Sequence, residues 1–232
     1  MKKIVEVFRT GLISYQNGLN IQKYFISVYN NSADFKTFKN ILILAEHKPV
    51  YTIGIRSKNY TIKDEEKLKS FGAEFYKTDR GGLITFHGPG QLILYPILHL
   101  KLFKPSVRWY VNSLEETVIS TCNKFGIKAI RTEHTGIWIG SNKKICAIGI
   151  HVSQYKTSHG IALNCNTDLK WFEHIIPCGI EDKYMTSLSR ELNRNITIDM
   201  VIPKLLDSFS EIFECKVVKM NLETSEPKLF SV

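Results

Sequence analysis

The chemistry open to this chain of 232 residues starts from a thiol in a shaped place. In Pro177-Cys178-Gly179 a proline fixes φ on one side of the cysteine, and a glycine leaves backbone room beside the sulfur on the other. A thiol with pKa ~8.5 is only a few per cent thiolate at neutral pH, and a neighbouring ammonium raises that fraction by stabilising the anion. Lys144 is a candidate ammonium, in the run Lys143-Lys144-Ile145-Cys146-Ala147-Ile148-Gly149-Ile150, where a polar turn meets a strand. Strand alternation puts Ile145, Ala147 and Gly149 on one face and Lys144 with Cys146 on the other. Lysine beside cysteine is a workable nucleophile pair. The 34 positions from Lys144 to Cys178 leave their adjacency open, and a lone cysteine is most often a packing residue, a lone lysine a solvated one.

A second segment, Arg80-Gly81-Gly82-Leu83-Ile84-Thr85-Phe86-His87-Gly88-Pro89-Gly90-Gln91, sets four glycines around a short strand. Glycine lets a ligand approach backbone N–H and C=O groups closely. The spacing is neither that of a phosphate loop nor that of a dinucleotide fingerprint. Taken alone, Gly88-Pro89-Gly90 is a hairpin turn and His87 a packed histidine.

The elements that must position these groups come from apolar spacing. Tyr15, Leu19 and Phe25-Ile26 mark one helix. Val107, Tyr110-Val111, Leu114, Val118 and Cys122 mark another, with Ser106 as N-cap and Gly126 at its C-terminal end. A third runs from about Asp199 through Leu205, Phe209 and Ile212-Phe213, with Pro203 tolerated as a first-turn residue. Strands are expected at 41–45, 73–78, 83–86, 136–139, 144–152 and 159–165. This irregular order is not a βαβ alternation, so the expected class is α+β with a mixed or largely antiparallel sheet. No repeat or linker interrupts it, so residues 1–232 read as a single domain, with a C-terminal helical appendix from about 196.

Composition narrows the classes. With 44% hydrophobic and 23% charged residues the chain can bury a core, and no apolar stretch reaches the ~18 residues a membrane-spanning helix needs. Five scattered cysteines without a Cys-x-x-Cys pair fit a reducing compartment, and the seven histidines show no metal-ligand spacing. No secretory signal or typical transit peptide is readable at the N-terminus. The net charge of +9 resides wholly in residues 1–110, which hold 17 Lys and Arg against 8 Asp and Glu. Such a half favours a polyanionic partner. No RNA-binding signature or Arg-rich tract makes that partner a nucleic acid.

Taken in order, the motifs resemble the lipoyl(octanoyl) transferase family, also called lipoate-protein ligase B. The resemblance rests on Glu46-His47-x-Pro49-Val50-Tyr51-Thr52-x-Gly54, on Arg80-Gly81-Gly82 through His87-Gly88-Pro89-Gly90-Gln91, and on Lys144-Ile145 with Ala147-Ile148-Gly149. His159-Gly160-Ile161-Ala162-Leu163-Asn164 and Pro177-Cys178-Gly179 with Thr186-Ser187-Leu188 complete it, so that residues 40–192 are covered. The runs 144–149, 157–160 and 171–175 are most similar to animal mitochondrial members. Leu83 departs from bacterial members, which tend to carry glutamine there.

The resemblance implies a biotin/lipoate-ligase-like fold and transfer of octanoyl from acyl carrier protein to a lysine of lipoyl domains, those of 2-oxoacid dehydrogenase E2 subunits and the glycine cleavage H protein. It makes Cys178 the acyl-accepting nucleophile and Lys144 the residue that lowers its pKa. Substrate-binding segments fall on Arg80, Gly81, Gly82, Leu83, Ile84, Thr85, Phe86 and His87, on Ala147, Ile148 and Gly149, and on Gly160, Ile161 and Ala162. It implies no cofactor and a mitochondrial location. Both carrier proteins and many lipoyl domains are acidic, which matches the basic half. The alternative on the same fold is an ATP-dependent lipoate or biotin ligase.

Overall fold

Residues 41–45 are apolar at every position, the pattern of a strand buried on both faces. The computed structural model, which describes residues 3–28, 35–56, 60–175 and 183–221, places that strand inside a mixed sheet. In chain order the elements are β1 (Lys3–Ile13), α1 (Tyr15–Val28), β2 (Asn40–His47), β3 (Val50–Ile53), α2 (Ile62–Ser70), β4 (Glu74–Lys77), β5 (Thr85–His87) and β6 (Gln91–Ile97). They continue with α3 (Val107–Asn123), β7 (Ala129–Ile130), β8 (Ile137–Ile139), β9 (Lys143–Ser153), β10 (Lys156–Asn164), β11 (Tyr184–Met185), α4 (Leu188–Leu192), α5 (Ile198–Ile212) and β12 (Cys215–Lys219).

The main sheet runs β12-β1-β2-β6-β10-β9-β8-β7, with β11 added beside β9. Its β12-β1-β2 and β9-β11 pairs are parallel and the rest antiparallel. A small sheet, β4-β3-β5, lies apart. The α+β class with a mixed sheet is as expected. Leu42, Leu44, Leu94 and Leu163 pack under Leu114 and Val118 of α3 and Leu205 and Phe209 of α5. The alternate residues Ile41, Ile43, Ile93 and Tyr95 pack under Ile21 and Phe25 of α1. Burial on both faces leaves no polar rhythm, which is why β2 reads as a continuous apolar run.

Several expectations need correction. Gly88-Pro89-Gly90 is a turn, closed by Gln91 N–H to Gly88 C=O at 3.1 Å, but not a hairpin. β5 before it pairs with β3 in the small sheet, and β6 after it pairs with β2 and β10 in the large one, so the turn carries the chain between sheets. Pro203 is not in the first turn of its helix. α5 begins at Ile198, which leaves Pro203 in the second turn with no N–H for the Asp199 carbonyl. Ser106 caps α3 as expected, accepting from Trp109 N–H at 3.3 Å; the C-cap is Lys124, and Gly126 takes φ +76° two residues beyond it.

Strand β6 was hidden by Pro96, a residue rare in central strands. It is accommodated because its polar edge faces β10 and not its partner Leu42 of β2: Pro96 C=O accepts the Thr157 hydroxyl at 2.6 Å, and the pairing of β10 with β6 ends at Ile161↔Leu94, so no ladder bond is demanded of the missing N–H. The C-terminal stretch carries α5, packed on α3, and then β12, which pairs with β1 at the sheet edge.

Candidate active site

On the α1 side of the sheet lies a cavity of about 440 Å³. Its floor is made of small residues in register: Ala147 lies opposite Ala162, and Gly149 opposite Gly160. Ile93 and Tyr95 of β6 and Tyr15 of α1 complete the lining there. Small side chains on two adjacent strands leave a trough that an unbranched apolar chain can fill. Ile148 and Ile161 also border the cavity, although both belong to the core on the helix side, so their main chain is what faces the trough.

The strand edge sharpens this. Ile150 C=O accepts Gly81 N–H at 2.9 Å, and Cys146 faces Ile137 of β8. Beyond the bulge, Ile148, which shares parity with Cys146 and Ile150, therefore turns its N–H and C=O away from β10, and its N–H points off the edge that borders the cavity.

The glycine-rich segment forms one wall. Arg80 is buried, and its Nη2 donates to Thr52 C=O at 2.7 Å, Thr52 Oγ1 at 2.8 Å and Leu83 C=O at 3.0 Å, while Nη1 donates to Gly81 C=O at 3.0 Å. One guanidinium thus ties its own loop to β3, a task for which the fixed fork of arginine is suited. Gly149 lets the loop settle on β9: a Cβ there would lie 2.9 Å from both Arg80 Cδ and Gly81 O. Leu83 has no polar side chain and takes part through its carbonyl, which accepts from Arg80. Gly81, Gly82, Leu83, Ile84, Thr85 and His87 line the cavity with Arg80. Phe86 does not. Strand alternation sends it to the opposite face, where it stacks on Trp171 with ring centroids 5.0 Å apart.

Lys144 reaches the cavity through a bulge. β8 pairs Ile137 with Cys146 and Trp138 with Lys144, so Ile145 is skipped. Consecutive residues Ile145 and Cys146 both enter the helix-side core, and Lys144 lines the cavity together with Ala147 and Gly149. This overturns the simple alternation that would have put Lys144 on the same face as Cys146. The ammonium is buried and donates to Thr135 C=O at 2.8 Å, whereas its neighbour Lys143 is held by both carboxylate oxygens of Glu191 at 2.7 and 2.9 Å. Cys178 lies outside the described residues.

A buried polar cluster under the cavity was not legible as a unit in the sequence. His47 Nδ1 lies 3.3 Å from Ile13 C=O, which can only accept, so Nδ1 carries the hydrogen and Nε2 accepts from the Tyr95 hydroxyl at 2.8 Å. His87 Nδ1 donates to Gln91 Oε1 at 2.8 Å, and its Nε2 takes the Thr52 hydroxyl at 3.2 Å. Gln91 passes on to Asn164 Oδ1 at 2.8 Å, and Asn164 Nδ2 donates to Thr186 C=O at 2.9 Å. Thr186 N–H closes the path on Lys144 C=O at 2.8 Å. His159 also lines the cavity and holds Asp79 through Nε2 at 2.8 Å.

Burial pushes His47 down to about 4; burial, with the charges of His47 and Arg80, pushes His87 down to about 3. Both stay neutral at physiological pH. A folded pKa below the unfolded value gives stability that is full above pH ~6.5 and is lost as pH falls toward the folded pKa. Each histidine is therefore expected to cost about 2 kcal/mol between pH 7 and pH 5. Urea unfolding at the two pH values measures this, and His87→Asn is expected to flatten the dependence.

The other thiols are poor nucleophiles. Cys122 is raised by burial to about 12, and Cys146 and Cys165 are pushed higher by the same cause. Cys215 is buried as well.

The model of the lipoyl protein ligase A/B catalytic domain matches residues 14–210. The mitochondrial octanoyl-[acyl-carrier-protein]:protein N-octanoyltransferase of Danio rerio is 56% identical over 214 residues, 92% of this chain and 94% of that one. Its Homo sapiens counterpart is 40% identical over 222 residues, 92% and 95% of the two chains. An octanoyltransferase of Caldanaerobacter subterraneus is 45% identical over 224 residues, 94% and 93% of the two. Among solved structures, lipoate-protein ligase A bound with ATP superposes with a TM-score of 0.73 at 17% identity, over 99% of this chain and 93% of that one. A bipartite lipoate protein ligase from Thermoplasma acidophilum gives 0.69 at 17%, over 99% and 91%. Those two likenesses speak for the fold. The relatives at 40–56% identity span nearly the whole length on both sides, and the chain belongs to the lipoyl protein ligase A/B catalytic-domain family, among its octanoyltransferases.

Proposed function

We propose that this octanoyltransferase works by a covalent relay between Cys178 and Lys144 and acts as one catalytic unit over its whole length. The observation that carries the reading is the trough of Ala147, Ala162, Ile93 and Tyr95 on the same cavity wall as a buried lysine ammonium: room for an apolar acyl chain beside a charge that can hold a thiolate. Cys178 is tethered to it by sequence. Lys183, five positions after the thiol, precedes a strand whose Met185 pairs with Lys144 itself.

The enzyme is an acyltransferase of lipoate assembly, and it works in the mitochondrion, as its animal relatives do. Its donor is an octanoyl carrier and its acceptors are lipoyl domains. We take the carrier to be acyl carrier protein, and the acceptors to be 2-oxoacid dehydrogenase E2 subunits and the glycine cleavage H protein. In the first half-reaction the Cys178 thiolate attacks the donor thioester, the C–S bond to the carrier breaks, and Lys144 gives its proton to the departing thiolate. In the second, a neutral acceptor amine attacks the new thioester and passes a proton to the now neutral Lys144. The amide forms and Cys178 leaves as thiolate, so the pair returns to its starting state. Ile148 N–H, and a main-chain N–H beside Gly160, are the candidate donors to the oxyanion.

Exchange of one thioester for another is nearly isoenergetic and the final amide is more stable, so the route needs no ATP. The test is octanoyl transfer to an apo lipoyl domain from octanoyl carrier protein without ATP, beside free octanoate with ATP. Turnover in the first alone is expected. Turnover only in the second would make the enzyme a ligase, a reading that the 40–56% identity to octanoyltransferases does not favour.

The basic half supplies the carrier's approach. Lys63 is exposed on α2, and Lys101 is exposed with its ammonium 4.8 Å from the Tyr155 ring centroid; Lys58 lies outside the described residues. Lys63→Glu is expected to lower kcat/KM for the carrier several-fold at low salt and to have little effect at high salt. A loss equal at both salt levels would remove the docking role.

A further inference from the structure

Lys144 sits in a cradle. Its Nζ lies 5.3 Å from the centroid of the Trp138 ring, its cross-strand partner at the bulge. Trp138 is fully buried, and its indole N–H is fixed on His134 C=O at 3.0 Å. Another wall is an absence of side chain. Gly136 holds φ at +116°, and a Cβ on it would lie 2.4 Å from Lys144 Cε and 3.0 Å from Nζ. With Thr135 C=O accepting at 2.8 Å, three residues in one short segment close on one ammonium. Among the described residues, two other ionisable groups face the same ring: Lys183, with Nζ 5.7 Å from the centroid, and His134, with ring centroids 6.2 Å apart.

We propose that Trp138 is a positioning residue for acyl transfer: its indole face, against the space left by Gly136, fixes the Lys144 ammonium at one point of the cavity wall. The claim rests on reading Lys144 as the partner of Cys178. A buried ammonium needs compensation for lost water, and the face of an indole offers it without carrying a charge. A carboxylate in the same place would compete with the thiolate for the cation; an aromatic face holds the ammonium and leaves its charge available to the sulfur.

The test is the rate of iodoacetamide alkylation of Cys178 in the full chain, followed by peptide mass across pH, for wild type, Trp138→Phe, Trp138→Leu, Gly136→Ala and Lys144→Met. Phenylalanine keeps an aromatic face but a weaker one, so about threefold slower alkylation near pH 7 is expected, with the profile displaced to higher pH. Leucine removes the face, and about tenfold is expected. Gly136→Ala, which drives a methyl group into Lys144, is expected to displace the profile in the same direction. In each, kcat for transfer falls while KM for the carrier holds. If the Phe and Leu profiles superimpose on wild type while Lys144→Met is displaced, Trp138 has no positioning role and the Lys144–Cys178 pair stands. If Lys144→Met also superimposes, the pair itself fails and the role of Trp138 falls with it. Should the Leu variant not fold, the Phe variant decides alone, because a folded Phe variant with an unshifted profile overturns the proposal.

Discussion

Cys178→Ala is expected to lower octanoyl transfer by about 10³-fold or more, on the scale lost when a covalent nucleophile is removed. Nothing else among the described thiols can substitute. Cys122, Cys146 and Cys165 are buried with their pKa values pushed up, so their thiolate fractions at neutral pH are negligible. The serine variant separates the two half-reactions. A hydroxyl is a weaker nucleophile under the same lysine, so loading is slow. An oxygen ester, once formed, is a poorer acyl donor to an amine than a thioester, so Cys178→Ser is expected to stall with octanoyl attached. Rates are read by transfer from octanoyl carrier protein to an apo lipoyl domain, and the stalled species by intact mass. Full transfer by the alanine variant would contradict a covalent route.

Lys144→Met is expected to cost about 10²- to 10⁴-fold, the range spanned by a lost acid–base group. Methionine approximates the length of the side chain and removes its charge. Two effects combine. The thiolate of Cys178 loses its counter-charge, so the rate is expected to climb further into alkaline pH than in wild type before it levels. The carrier thiolate also loses its proton donor and the acceptor amine its proton acceptor, which raising the pH does not restore. The variant is therefore expected to recover alkylation at high pH but not transfer. A variant whose transfer recovers fully at high pH would limit Lys144 to an electrostatic role. The bulge that skips Ile145 is what gives this side chain its place: without it, strand alternation would send Lys144 to the helix-side core with Cys146.

That bulge also shows where reading a sequence stops. The segments around Arg80, Ala147 and Gly160 were legible only through their joint resemblance to a family, since each taken alone reads as a turn or a packed strand, and of their residues all but Phe86 border the cavity. Phe86 differs from its neighbours by parity: the resemblance implies a continuous run, and a strand presents only alternate residues to one face. The polar layer of His47, Tyr95 and Tyr15 was out of reach for another reason. Its members lie on α1, β2 and β6, and only the β1-β2-β6-β10 strand order brings them together. Pro96 hid β6 because proline argues against a central strand, and the early end of the β10 pairing that accommodates it is a tertiary fact.

One measurement tests the central claim most directly. The purified full chain is mixed with octanoyl carrier protein in the absence of acceptor, digested, and mapped by mass spectrometry with and without hydroxylamine. One octanoyl group on the peptide containing Cys178, lost on hydroxylamine treatment and transferred to an apo lipoyl domain when one is added, is the predicted result. A chain that turns over acceptor at its full rate while carrying no adduct, or an adduct on a different residue, would contradict the account.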